Sequence, residues 1–217
     1  MAGYCQAVFD HSFSQQAQKD LLRCVVHSYR VADTFVKPLH YAEANYLRGH
    51  KRRVDIESEM RGVAAHHPEI DARIELNRTL SAYYTVLSAG RIRLTQSRAN
   101  NPYQMIQHAM FRRELAAEAQ LDLFLPNSPN PIPIDQLLFA LLLHGYDRAD
   151  KSKPSFVHVV FPDHLCRFYV ARINLLERFP EIASEMAAGS PALTPQEPQV
   201  TIRQDREIRT DQQERNA

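Results

Sequence analysis

Apolar positions in the first third of the chain recur every three or four residues. Leu21, Leu22, Val25, Tyr29, Ala32, Phe35 and Val36 mark one face of a helix that Ser14 can cap and Pro38 stops. A second helix is expected from about Tyr41 to Ala65. Tyr46, Ile56, Met60 and Val63 form its weaker stripe, interrupted by Gly49 and closed by His67-Pro68. Charges dominate its other faces, so it should lie half exposed.

The period then shortens to two. Segments IDARIEL, LSAYYTVL and RIRLTQS alternate, with β-branched and aromatic residues, and Ser88-Ala89-Gly90 separates the last two as a hairpin loop. In the second arm Ile92 and Leu94 face one way, while Arg91, Arg93 and Thr95 face the other. Asn101-Pro102 predicts a third helix, with Gln104 three residues after the cap and Ile106, Met110, Phe111 and Leu115 on its buried side, running to about Ala119. LDLFLP is expected as a short strand and NSPNPIP as a loop. The run Leu137–Leu143 suits a buried strand or a short helix. The strand is favoured because a polar loop leads from it straight into FVHVVF, which makes a central hairpin. Pro162-Asp163 is expected to start a last helix carrying Leu165, Tyr169, Ile173 and Leu176, and reaching about Ala188.

These elements predict an α+β fold: two N-terminal helices, an antiparallel sheet of five or six strands interrupted by one helix, and a C-terminal helix. One domain is expected over residues 1–188, helical at 14–66 and sheet-containing at 69–188. Residues 189–217 carry three prolines and then four Arg and four acidic residues between Arg203 and Arg215. Such a polyampholyte cannot bury enough surface to offset its ordering entropy, and a disordered tail is expected.

Composition narrows the function classes. The chain has 26 Lys+Arg and 25 Asp+Glu, a net charge of +1, so bulk positive charge does not drive nucleic-acid binding, although a local patch can. Cys5, Cys24 and Cys166 are few and widely spaced, unlike a disulfide framework or a thiolate zinc site. The N-terminus lacks the pattern of a signal peptide, and the longest apolar stretch falls far short of the roughly twenty residues of a membrane helix. A cytoplasmic protein without a membrane segment is therefore expected.

The common phosphate-loop, dinucleotide, serine-hydrolase and zinc-protease motifs are absent, and no metal or cofactor is assigned. One candidate cluster is His144, Asp147, His158 and Asp163, with Asp150 and His164, around the central hairpin. Imidazole plus carboxylate suits a hydrated divalent metal or an acid/base pair. The same residues also read as a helix cap (Asp163), turn formers (Asp147 and Asp150) and a strand position (His158).

A second candidate is basic: Arg48, Lys51, Arg52 and Arg53, beside His50 on the second helix, together with Arg91, Arg93 and Arg98, and with Arg112-Arg113 on the third helix. Outward arginines on a ribbon and helix can contact phosphates. Solvated i,i+4 pairs, Lys51 with Asp55 and Arg53 with Glu57, account for the helix cluster equally well. Tyr83 and Tyr84 point to opposite strand faces, so one of them can be exposed for stacking. His66-His67 suits a helix C-terminus better than a shared ion. Cys24 reads as a small buried hydrophobe. Cys166 would have a lowered pKa if it sat in the first turn of the last helix.

Two functions follow as expectations. The first is a non-enzymatic binding or regulatory module that contacts nucleic acid or a protein partner through the Arg-bearing helix and hairpin. The alternative is a metal-assisted hydrolase built on the His/Asp cluster. The sequence does not specify an oligomeric state.

Overall fold

Ser14 accepts a hydrogen bond from the Ala17 amide at 3.2 Å and so starts helix α2 (Gln15–Val36), whose apolar stripe is buried as the spacing predicts. In the computed structural model, which describes residues 2–77, 79, 81–106, 110–119 and 137–188, a shorter helix α1 (Ala2–Ser12) precedes it. The sequence reading did not anticipate α1. Its signal is the four-residue spacing of Cys5, Phe9 and Phe13, all fully buried. Helix α3 (Tyr41–His66) follows, capped by His40.

Six strands form one sheet in sequence order: β1 (Ile70–Leu76), β2 (Tyr83–Ala89), β3 (Ile92–Arg98), β4 (Leu138–Tyr146), β5 (Pro154–Pro162) and β6 (Tyr169–Asn174). The α+β class is as expected, but the sheet is mixed and not wholly antiparallel, because β3 and β4 run parallel from Ile92↔Leu138 to Arg98↔His144. The physical reason is the long connection between them, which includes helix α4 (Met110–Ala119). A parallel pair needs a crossover of about that length, which a tight turn cannot provide. The LDLFLP strand, the NSPNPIP loop and the tail from residue 189 lie outside the described residues.

Apolar clusters cover both faces. On one, Leu94, Leu142, Val159 and Phe161 pack with α1, α2 and α3; on the other, Phe139, Leu141, Leu143 and Val160 pack with Leu115 and Ala116 of α4. Strand β4 is therefore buried on both sides, which explains its unbroken apolar run. Each such side chain contributes about 1.5–3 kcal/mol by leaving water.

Two helix expectations are corrected. Asn101 closes a turn, accepting the Tyr103 amide at 2.8 Å through its side chain; residues 101–106 form no helix, and α4 is described over Met110–Ala119. Asp163 likewise starts no long helix. Its carboxylate accepts the amides of Arg167 and Phe168, the turn passes through Cys166 at φ 53°, and the chain re-enters the sheet as β6. The helical spacing of Leu165, Tyr169 and Ile173 competes there with the alternation of Ala171 and Ile173, and pairing with β5 wins. Short helices α5 (Leu175–Arg178) and α6 (Pro180–Ala188) end the described chain, the first capped by Asn174. Among the described residues no helix is long and apolar enough to cross a membrane.

Strands β2 and β3 stay paired for only three positions, Leu87↔Leu94, Ser88↔Arg93 and Ala89↔Ile92, next to a turn in which Gly90 takes φ +50°. Beyond that, β2 remains on β1 as far as Tyr83↔Leu76, and β3 remains on β4 as far as Arg98↔His144. The two strands part, and a wedge opens in the sheet.

Candidate functional site

The wedge leaves strand groups that need new partners, and α3 supplies one. The Glu57 carboxylate accepts the Thr85 amide on the β2 side and the Gln96 side-chain amide, at 2.9 Å, on the β3 side. Arg61 ties the same corner, donating to the Glu57 carbonyl at 2.9 Å and to Thr85 Oγ1 at 3.0 Å.

This geometry orients a longer chain. A carboxylate only accepts, so the Gln96 NH₂ must face Glu57 and its Oε1 must face His144. His144 Nε2, 3.1 Å from that oxygen, therefore carries the proton. Its Nδ1 then accepts from the Tyr29 hydroxyl at 2.9 Å. Donation runs from Tyr29 to His144, from His144 to Gln96 and from Gln96 to the terminal acceptor Glu57, all buried. Burial pushes His144 down to about 3, with Arg52 and Arg98 adding to the effect, so the ring is neutral at physiological pH. A neutral, doubly bonded imidazole of this kind positions its neighbours; it is a poor base.

Arg52 is the unusual member. It is only 3% exposed, yet among the described residues no carboxylate lies within ion-pair distance of it. Its guanidinium lies 4.3 Å from the Tyr29 ring centre and donates to the Lys151 carbonyl, while its Nε has no acceptor. Burial lowers its pKa, the mark of a cation held where water does not fully solvate it.

Arg52 lines a cavity of about 780 Å³ between α3, the wedge and α4. Arg53, Arg98 and Arg112 share its wall, and among the described residues Glu57 supplies its single carboxylate. Arg98 reaches it across Gly49 of α3: a Cβ at Gly49 would stand 3.2 Å from Arg98 Nη1. Met105, Ile106 and Phe111 supply an apolar wall.

The structure brings together Arg52, Arg53 and Arg98 of the basic candidates, with Arg112 beside them. Arg48 is paired with Asp33 at 3.2 Å, and Lys51 with Asp55 as its spacing predicts. Arg53 does not pair with Glu57; it donates to the Tyr83 carbonyl at 2.8 Å. Arg91 leaves the ribbon to bond the Tyr4 hydroxyl of α1, whereas Arg93 lies in register with Phe139 on the opposite face, so the two do not form one outward surface. Tyr83 is exposed and Tyr84 buried.

The His/Asp cluster is split. His144 is on the helix-covered face, and His158, one register position from it across β5, is on the other, beside Phe156. Asp147 holds a turn through the Ala149 amide at 2.8 Å. Asp163 serves its own turn. Burial pushes Asp163 up, but the amides of Arg167 and Phe168 and the Arg167 guanidinium outweigh it and leave the pKa lowered. Among the described residues no three His, Cys, Asp or Glu side chains could hold a metal ion. Cys166 has a pKa raised by burial to about 11, opposite to the expected direction, because it does not sit in a helix N-terminal turn.

Sequence reasoning missed Tyr29, Glu57 and Gln96. Tyr29 passed as core and Glu57 as one charge in a charged run. Gln96 carried a legible signal: alternation with Ile92 and Leu94 puts an amide on the buried face, where it must find partners. Comparison with known protein families, with curated proteins and with solved structures finds no match to this chain.

Proposed function

We propose that the chain is a non-enzymatic binding module whose arginine-lined cavity takes up a phosphate-bearing ligand. The observation that carries this reading is Arg52, a nearly buried guanidinium that has no carboxylate partner among the described residues and lies at the wall of a cavity shared with Arg53 and Arg98. Isolated buried charges are costly and are normally paired. An anion entering the cavity supplies the missing partner, and the guanidinium fork suits phosphate oxygens. The cavity lies in the range of small-ligand sites.

Calorimetric titration with inorganic pyrophosphate, run at low and at raised salt, tests the reading. Salt-sensitive binding that Arg98→Gln weakens is the expected result; Arg98 is exposed, so its replacement leaves the core intact. Absence of binding, or binding indifferent to Arg98→Gln, overturns it.

A further inference from the structure

We infer that the ligand is a nucleotide, with its phosphoryl end at Arg52 and Arg98 and its base against Met105, Ile106 and Phe111; this rests on the reading of the cavity as an anion site. Two chemically distinct ends support it. Arg52 and Arg98 border the helix-covered side, next to His144, whereas Ile106, Phe111 and Met105 belong to the apolar cluster of the opposite face. A bare phosphate or a polycarboxylate has no use for that wall, and about 780 Å³ is far more room than a bare phosphate needs.

The same cavity offers carboxamides suited to a base edge. Asn100 and Gln104 line the cavity, and among the described residues neither side chain has a hydrogen-bond partner. Asn and Gln offer a donor and an acceptor side by side, the pairing that a purine edge or a pyrimidine edge completes. Tyr46, also in the lining, is 70% exposed and lies 5.0 Å from the His50 ring. A large exposed aromatic in a cavity lining gives a planar ligand a face to lie on.

Charge argues for a single nucleotide over a polymer. The basic groups flanking the cavity on α3 are neutralised where they stand, Arg48 by Asp33 and Lys51 by Asp55. Arg91 is engaged with Tyr4 near the other end of β3. Among the described residues no track of uncommitted cations therefore leads along α3 or β3 for successive phosphates to follow.

The test compares inorganic pyrophosphate, ribose 5-phosphate, adenosine and guanosine 5′-phosphates and diphosphates, and a single-stranded oligonucleotide on the full chain. At least one nucleotide is expected to bind about tenfold or more tightly than ribose 5-phosphate and pyrophosphate. Gln104→Ala is expected to weaken the nucleotide and leave pyrophosphate unchanged, while Arg98→Gln weakens both. If pyrophosphate binds and no nucleotide binds more tightly, the nucleotide assignment falls while the anion site stands. If the oligonucleotide binds more tightly than any mononucleotide, with a steep salt dependence, the single-nucleotide assignment falls to a polymer. If nothing binds, both fall.

Discussion

The Tyr29 hydroxyl and His144 Nδ1 lie 2.9 Å apart between α2 and β4, and their rings meet edge to face at 88°. The contact couples the longest apolar stripe of the chain to the central strand through a polar bond. It also fixes a neutral tautomer, because the other ring nitrogen must donate to Gln96.

The neutral state has a pH signature. Burial, then Arg52 and Arg98, lower His144 from the ordinary 6.5 to about 3, and burial with Arg172 lowers His158 to about 4. The unfolded chain binds these protons first, so their contribution is fully present above about pH 6.5 and is lost as pH falls toward the folded values. Each group costs up to about 1.4 kcal/mol per pH unit in that window. Urea denaturation at a series of pH values should show His144→Gln with a shallower acid slope than the wild type. Equal slopes would place the titration elsewhere.

Tyr29→Phe removes the donor and keeps the ring under Arg52. It leaves a buried acceptor on His144 unsatisfied, and stability should fall by about 1–3 kcal/mol. A double-mutant cycle with Gln96→Leu reads whether the chain acts as a unit. The pair should couple by more than about 0.5 kcal/mol, and strict additivity would show that the two bonds are independent.

The architecture was readable where one physical requirement dominated. The stripe of α2 and the unbroken run of β4 each admit one burial solution, a one-sided helix and a strand covered twice. Reading failed at residues 163–174, where helical and alternating periods both fit, and the Asp163 turn decided between them. The parallel β3–β4 pair depends on the path of a long connection, which local pattern does not encode. The site was half legible. Arg52, Arg53 and Arg98 were identifiable as cations, but which of the basic candidates converge is set by the parting of β2 from β3 and by Gly49, where α3 lets Arg98 cross. Neither is visible before the sheet is assembled.

Gly49 and Gly62 lie in the same helix and should answer differently to alanine. Both changes reduce unfolded-chain freedom and favour the helix, by about 0.4–1 kcal/mol. Nothing lies within 4 Å of a Cβ at Gly62, so Gly62→Ala should raise the melting temperature and leave pyrophosphate binding intact. At Gly49 the added methyl meets Arg98 Nη1 at 3.2 Å, the flexible end of a side chain, which can move. Gly49→Ala should therefore keep most of the stability gain and lose affinity. Equal affinity in the two variants would mean that the guanidinium position over Gly49 is not the binding one.

Glu57→Gln separates the wedge from the cavity. The carboxylate accepts from both Thr85 and Gln96, and an amide has only one oxygen to offer them. One N–H group must then face another, so stability should drop by about 1–3 kcal/mol. Anion affinity should move the opposite way. Among the described residues Glu57 is the one carboxylate on the cavity wall, and removing its charge lessens repulsion of an incoming phosphate. The expected pairing is a lower urea midpoint with pyrophosphate binding several-fold tighter. Weaker binding in step with lower stability would mean that the carboxylate shapes the site through the wedge more than it opposes the ligand through its charge.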